Sequence, residues 1–188
     1  MSITVEKCLQ AWTNSLKQMN AKADIVFFGD SLTYYGDFSS AFPGKVICNL
    51  GLKGDTLQGM IDRVEQIRIL KPKVVYLMAG INDVTSYNYE HLQHSLLTLI
   101  GSLFNTSSDI DIILQSLLPV NNKDFYISCN NIQVSGFNEL IKTISKDKGL
   151  RFIDLYSAYI KHGLLPITET IDGIHLYPQA YKKWINLL

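Results

Sequence analysis

Asp24-Ile25-Val26-Phe27-Phe28-Gly29-Asp30-Ser31-Leu32 sets four large apolar residues in a row and closes them with a glycine and two polar side chains. A short apolar run with no polar alternation and a glycine at its end reads as a strand buried on both faces of a parallel sheet. Working outward, runs of the same kind occur at Lys45 to Asn49, Lys73 to Ala79, Ile110 to Ser116 and Leu150 to Leu155, which gives five strands. Helical spacing separates them. Val5, Cys8, Leu9, Trp12, Leu16 and Met19 form one apolar stripe ahead of the first strand. Leu57, Met60, Ile61, Val64, Ile67 and Leu70 form a second, Leu92, Leu96, Leu99, Ile100 and Leu103 a third, and Ile132, Phe137, Leu140, Ile141 and Ile144 a fourth. Strands alternating with helices of this length require right-handed crossovers and a parallel sheet covered on both sides. The expected fold class is therefore α/β, a three-layer α/β/α sandwich on a five-stranded parallel sheet, with the Ile25 run as its central strand.

A chain of 188 residues has room for one domain with a sizeable core, so residues 1–188 are read as a single unit. Lys53 to Thr56, Asn121 to Asn131 and His162 to Asp172 are polar or turn-rich loops, and none has the composition of an interdomain linker. With 47% hydrophobic and 18% charged residues the composition excludes a disordered chain. Its longest apolar runs are strand-sized, far short of the roughly 20 residues that span a bilayer, so no membrane span is expected. Seventeen basic residues balance seventeen acidic ones, leaving no positive field to recruit nucleic acid. Cys8, Cys48 and Cys129 are far apart and unpaired by any CxxC spacing, and read as reduced thiols. Glu6, Lys7, Gln10, Asn14 and Lys17 interrupt the amino-terminal apolar positions, unlike a signal peptide, and point to a cytoplasmic protein.

In open parallel sheets ligands bind at the carboxyl ends of the strands. The Ile25 run ends in Gly29-Asp30-Ser31-Leu32, which puts the Ser31 hydroxyl at such an edge. A serine attacks only if a base takes its proton, and an imidazole oriented by a carboxylate does this best. Asp172-Gly173-Ile174-His175, in a loop after the fifth strand, supplies both groups three residues apart. Taken singly, Ser31 reads as a helix cap, Asp172 as the cap of the last helix and His175 as a surface residue. Two further blocks at strand ends, Asn49-Leu50-Gly51-Leu52-Lys53-Gly54-Asp55-Thr56 and Gly80-Ile81-Asn82-Asp83, shift that balance.

With these four blocks in order from Ile25 to Trp184, the chain resembles the GDSL or SGNH hydrolase family. The resemblance implies a flavodoxin-like version of the sandwich and an esterase or acylhydrolase without cofactor or metal. It implies Ser31 as nucleophile, His175 as base and Asp172 as the acid orienting it. An oxyanion hole follows from the Ser31 N–H, the Gly54 N–H and the Asn82 side-chain amide, donors fixed where the negative charge develops. Asp30, Asn49 and Asp83 read as supporting groups. Asn49 through Asp55, Arg63, Pro72 to Val75, Leu117-Leu118-Pro119, Asn131 and Asn138 look like the branch of platelet-activating-factor acetylhydrolase catalytic subunits and carbohydrate acetylesterases. At Tyr177 that branch often carries a polar residue.

The reading is thus a serine esterase removing a short acyl group, acetyl above all, from a small-molecule ester through an acyl-enzyme. A thioesterase or lysophospholipase acting on longer chains with the same triad is the alternative. A metal-dependent phosphoesterase would need more histidines at strand ends than this chain has, and a binding module would have no need to keep the complete set. Glu90, His91 and His94 read as a solvated helix face, His162 as a helix-end cap and Asp154 as the close of the fifth strand. The oligomeric state stays open, a homodimer included.

Overall fold

The computed structural model describes residues 3–86, 88–107 and 109–188, with the side chains of residues 3–6, Val5 among them, outside the described set. Five parallel strands, β1 (Ile25–Gly29), β2 (Ile47–Gly51), β3 (Val74–Met78), β4 (Asp111–Gln115) and β5 (Arg151–Ile153), lie in the order β2-β1-β3-β4-β5. The middle strand is therefore β3, not β1 as the sequence reading had it, although β1 is interior and paired on both sides. The strand expected at Lys45 to Asn49 begins and ends two residues later. Its register is set by β1, where Ile25 faces Ile47 and Gly29 faces Gly51, so that both strands stop together at the carboxyl edge.

The helices are α1 (Ile3–Gln18), α2 (Ser31–Tyr34), α3 (Leu57–Asp62), α4 (Glu65–Leu70), α5 (Tyr89–Phe104), α6 (Asn131–Asp147), α7 (Leu155–Tyr159) and α8 (Tyr181–Ile185). Among the described residues no helix is long and apolar enough to cross a membrane. On one face of the sheet, Phe27 stacks on Phe38 at 3.9 Å and on Tyr76 at 4.8 Å, and Phe38 meets Trp184 of α8 at 5.2 Å. On the other, Phe28 lies under the Arg63 guanidinium, where α3 packs on α5, α5 on α6, and α4 on α1. The alternation of Phe27 and Phe28 follows from the two-residue period of a strand. Three expected core positions are on the outside among the described residues: Cys8 and Met19 are exposed, and Ile132 in the first turn of α6 is 83% exposed, its amide used instead by the Asn130 cap.

The single helix expected from Leu57 to Leu70 is broken at Arg63, and the break has a physical cause. Arg63 is buried, donating Nε to Asp55 at 2.7 Å, Nη2 to the Gly29 carbonyl at 3.1 Å and Nη1 to Gln66 at 3.3 Å. Asp55 is equally buried, so the pair joins the loop after β2 to the end of β1 in a low-dielectric setting. Seating that guanidinium turns the chain out of helical geometry for one residue. At Gly51 a side chain would strike the backbone of Tyr34 at 2.1 Å, which is why α2 can lie directly against the end of β2. Asn49 completes this joint, donating Nδ2 to the carbonyls of Thr33 and Gly36 and accepting the Gly51 N–H, all at 2.8 Å.

Asp30 caps α2 through Oδ1, which accepts the Leu32 N–H at 2.9 Å, while its Oδ2 has no partner among the described residues. Complete burial pushes its carboxyl up to about 7; the Leu32 N–H opposes this, Asp55 and Asp83 add to it, and Arg63 opposes it. Burial likewise raises Asp83 to about 6, against the Leu57 N–H that it accepts at 3.1 Å.

Two outcomes are expected. Arg63→Met leaves the Asp55 charge buried without compensation, so urea unfolding should show a loss of about 3–5 kcal/mol, partly recovered by adding Asp55→Asn. For Asp30 the folded value lies above the unfolded one, so its contribution to stability is full below about 4 and is lost as pH rises to about 7. The Tm of Asp30→Asn relative to the parent should therefore climb between those pH values and then level off, and a constant difference would show that the carboxyl is ionised throughout.

Candidate active site

Ser31 is the first residue of α2, at the carboxyl end of β1, and is 7% exposed. His175 comes to it from 144 residues along the chain: its Nε2 lies 2.8 Å from the Ser31 Oγ. Its Nδ1 lies 2.6 Å from Oδ2 of Asp172. The segment that carries both partners is a tight loop closed by an antiparallel bridge between Thr170 and Leu176. The Ile171 N–H and the Thr170 hydroxyl both donate to the His175 carbonyl at 2.8 Å. Inside the loop, Oδ1 of Asp172 accepts the N–H groups of Ile174 at 3.0 Å and His175 at 2.8 Å. Partial burial of Asp172 works against its charge, but the hydrogen bonds from the His175 ring and from these two amides outweigh it and hold the carboxyl below the usual range. An ionised Asp172 then accepts an N–H from Nδ1, which leaves the Nε2 lone pair free to face Ser31.

The other two blocks end at the same edge of the sheet. Gly54 has φ +71, a left-handed conformation that glycine adopts without strain, in the turn between β2 and α3. Asn82, in the turn after β3, donates Nδ2 to the Asp55 carbonyl at 2.8 Å, so the two turns are fastened to each other next to β1. Among the described residues neither the Ser31 N–H nor the Gly54 N–H has an acceptor. β1 and β3 are neighbours whose connections depart in opposite directions, which opens a crevice at their carboxyl ends.

The structure thus brings Ser31, Asp172 and His175 into one hydrogen-bonded chain and sets Gly54 and Asn82 on adjoining turns. Asp30, Asn49 and Asp83 hydrogen-bond backbone groups in the turns that carry these residues. Asp154 follows β5 and caps α7 by accepting the Ser157 N–H at 2.9 Å. His162 is not the cap of α7, which ends at Tyr159 with Ile160 as its cap; it sits at φ +51 in the turn between Lys161 and Leu164. Glu90, His91 and His94 border a hollow of about 500 Å³ on α5 with Asn88, Gln93 and Leu97, and neither Ser31 nor His175 lines it. Sequence reasoning missed Tyr35 and Lys53. The Tyr35 ring meets the His175 ring edge-on at 5.7 Å, and the Lys53 ammonium stands 4.7 Å from the centre of the Tyr35 ring. The aromatic doublet Tyr34-Tyr35 directly behind Ser31 was the signal available.

A search of curated proteins finds no match. Among solved structures the chain is similar to a GDSL-like lipase from Bacteroides thetaiotaomicron, with TM-score 0.78, 21% identity, and 96% of this chain and 93% of that one covered. It is similar to the lipase/acylhydrolase from Enterococcus faecalis, with TM-score 0.74, 21% identity, and coverage of 87% and 91%. An acetyl xylan esterase matches with TM-score 0.72, 19% identity, and coverage of 86% and 96%. These likenesses carry the fold, and the sequence family carries more. Residues 27–183 match the GDSL-like Lipase/Acylhydrolase family, from the strand that presents Ser31 to the helix behind His175, and the chain accordingly belongs to that family of ester hydrolases.

Proposed function

We propose that the protein is a serine esterase that removes a short acyl group, acetyl above all, through an acyl-enzyme intermediate. The observation that carries this is the unbroken path from the Asp172 carboxylate through both His175 nitrogens to the Ser31 hydroxyl, with contacts of 2.6 and 2.8 Å. In the first half-reaction the Ser31 Oγ forms a bond to the acyl carbon while its proton passes to Nε2 of His175. The carbonyl electrons move onto oxygen, and when they return the bond to the alcohol oxygen breaks and that oxygen takes the proton from Nε2. Water then repeats the sequence, giving its proton to Nε2, bonding to the acyl carbon and returning Ser31 as the leaving group.

The transient oxyanion needs donors in place before the charge forms. The N–H groups of Ser31 and Gly54, with no other acceptor among the described residues, and the second N–H of the Asn82 amide suit that task. Its first N–H is spent on the Asp55 carbonyl, which fixes the amide and removes the cost of reorienting it during reaction. A short acyl group is supported by the acetylhydrolase-like run from Asn49 to Asp55 and by the fold shared with the acetyl xylan esterase.

Ser31→Ala is expected to fold as the parent does and to lose kcat by about 10⁴- to 10⁶-fold on p-nitrophenyl acetate. A fluorophosphonate probe should add its mass to Ser31, and labelling of any other serine would overturn the assignment. Asn82→Ala should lower kcat by about 10²- to 10³-fold with little change in KM, since the amide acts on the transition state. Over p-nitrophenyl esters of increasing length, kcat/KM should fall beyond the shortest acyl chains; a rise would favour a lysophospholipase or thioesterase.

A further inference from the structure

A groove of about 260 Å³ opens beside His175, walled by Tyr35, Ile171, Leu176, Pro178 and Tyr181. We infer that this groove is the subsite for the alcohol portion of the ester, and that it selects alcohols with one apolar, ring-sized group over polyhydroxylated sugars. The inference rests on the esterase reading and extends it to the half of the substrate that leaves.

Direction comes from the proton path. The bond that breaks joins the acyl carbon to the alcohol oxygen, and the proton that oxygen receives comes from Nε2 of His175. The leaving oxygen must therefore lie within hydrogen-bond reach of Nε2, and whatever is attached to it extends along the histidine side of the site. That side is the groove, since His175 and Asp172 form part of its wall.

The chemistry of the walls then decides what fits. Their polar groups are already committed. Both Asp172 oxygens are taken, one by the His175 ring and one by two backbone amides. The Tyr181 hydroxyl donates to the Leu32 carbonyl at 2.8 Å, and the Lys53 ammonium is placed over the Tyr35 ring. Sugar hydroxyls placed there would give up water without gaining partners. An apolar ring loses nothing and meets an aromatic wall: Tyr35 is 51% exposed, yet it is held edge-on by His175 and by Lys53 over its ring. Ile171, 52% exposed, adds an aliphatic wall. At about 260 Å³ the space is just below the roughly 300 Å³ at which drug-sized sites begin, room for one ring with a short substituent.

The test compares benzyl acetate with methyl acetate, whose alcohols have similar leaving ability, so the ratio of their kcat/KM values reports the subsite. In the parent protein the ratio should exceed about 10, and benzyl acetate should also surpass acetylated xylose by about tenfold or more. Tyr35→Ala and Ile171→Asp should each lower the benzyl-to-methyl ratio at least fivefold. Ile132→Asp, an exposed change on α6, should leave it unaltered. A parent ratio near one, a ratio insensitive to both groove variants, or acetylated xylose as the better substrate would overturn the inference. Labelling of Ser31 by the fluorophosphonate probe is scored separately: without it the esterase reading itself falls, whereas labelling with a flat ratio removes only the subsite.

Discussion

The turns packed beside Ser31 depend on one buried cation. Arg63 connects three parts of the chain that meet there, the end of β1 through the Gly29 carbonyl, the loop after β2 through Asp55, and the start of α4 through Gln66. A guanidinium suits this place because its planar fork reaches several acceptors at fixed angles and keeps its charge when buried. A lysine would offer one point charge and could not hold Gly29 and Gln66 together. Once the Asp55 carboxylate is locked by Arg63, its own backbone carbonyl is in position to receive the Asn82 amide, so the turns after β2 and β3 are placed by the same ion pair.

The surrounding carboxylates divide the electrostatic work. Asp55 is matched with Arg63, whereas burial drives Asp30 and Asp83 toward the neutral form, opposed only in part by the charges of Arg63 and His91. Asp172 is the opposite case, half-exposed and fed by a ring nitrogen and two amides, so it keeps its charge. Two aspartates close in sequence to Ser31 and His175, Asp30 and Asp172, thus have opposite characters because one lies beneath the sheet edge and the other at the surface. The negative charge beside the His175 ring is thereby concentrated on Asp172, which touches it.

The position of His175 follows from local geometry rather than from a rigid helix. The loop from Thr170 to Leu176 closes on itself through a short antiparallel bridge, and Asp172 braces it from within by accepting two amides. Asn121 fastens the loop to the rest of the molecule by donating its N–H to the Gly173 carbonyl at 2.8 Å. Gly173, at φ +92, makes the turn in a conformation that other residues enter only with strain. Aspartate and histidine three residues apart are therefore presented as a preformed pair.

By itself the sequence determined the element types and the candidates for the reacting groups. Strand-sized apolar runs between helical stripes dictate a parallel α/β sheet, and ligand positions at strand ends follow from that topology, so Ser31, Gly54, Asn82, Asp172 and His175 could be read from local pattern and motif order. Tertiary structure decided what depends on contacts between distant residues. The order β2-β1-β3-β4-β5 moved the centre of the sheet to β3, and pairing with β1 shifted β2 by two residues. The ion pair of Arg63 with Asp55 broke a helix that periodicity had drawn as continuous, since periodicity records which face is apolar and not which charge must be buried. Depth likewise raised Asp30, and the approach of α2 to the 170–176 loop turned an ordinary Tyr35 into the wall of a groove. Burial, register and the meeting of loops arise from long-range packing, for which one-dimensional spacing holds no record.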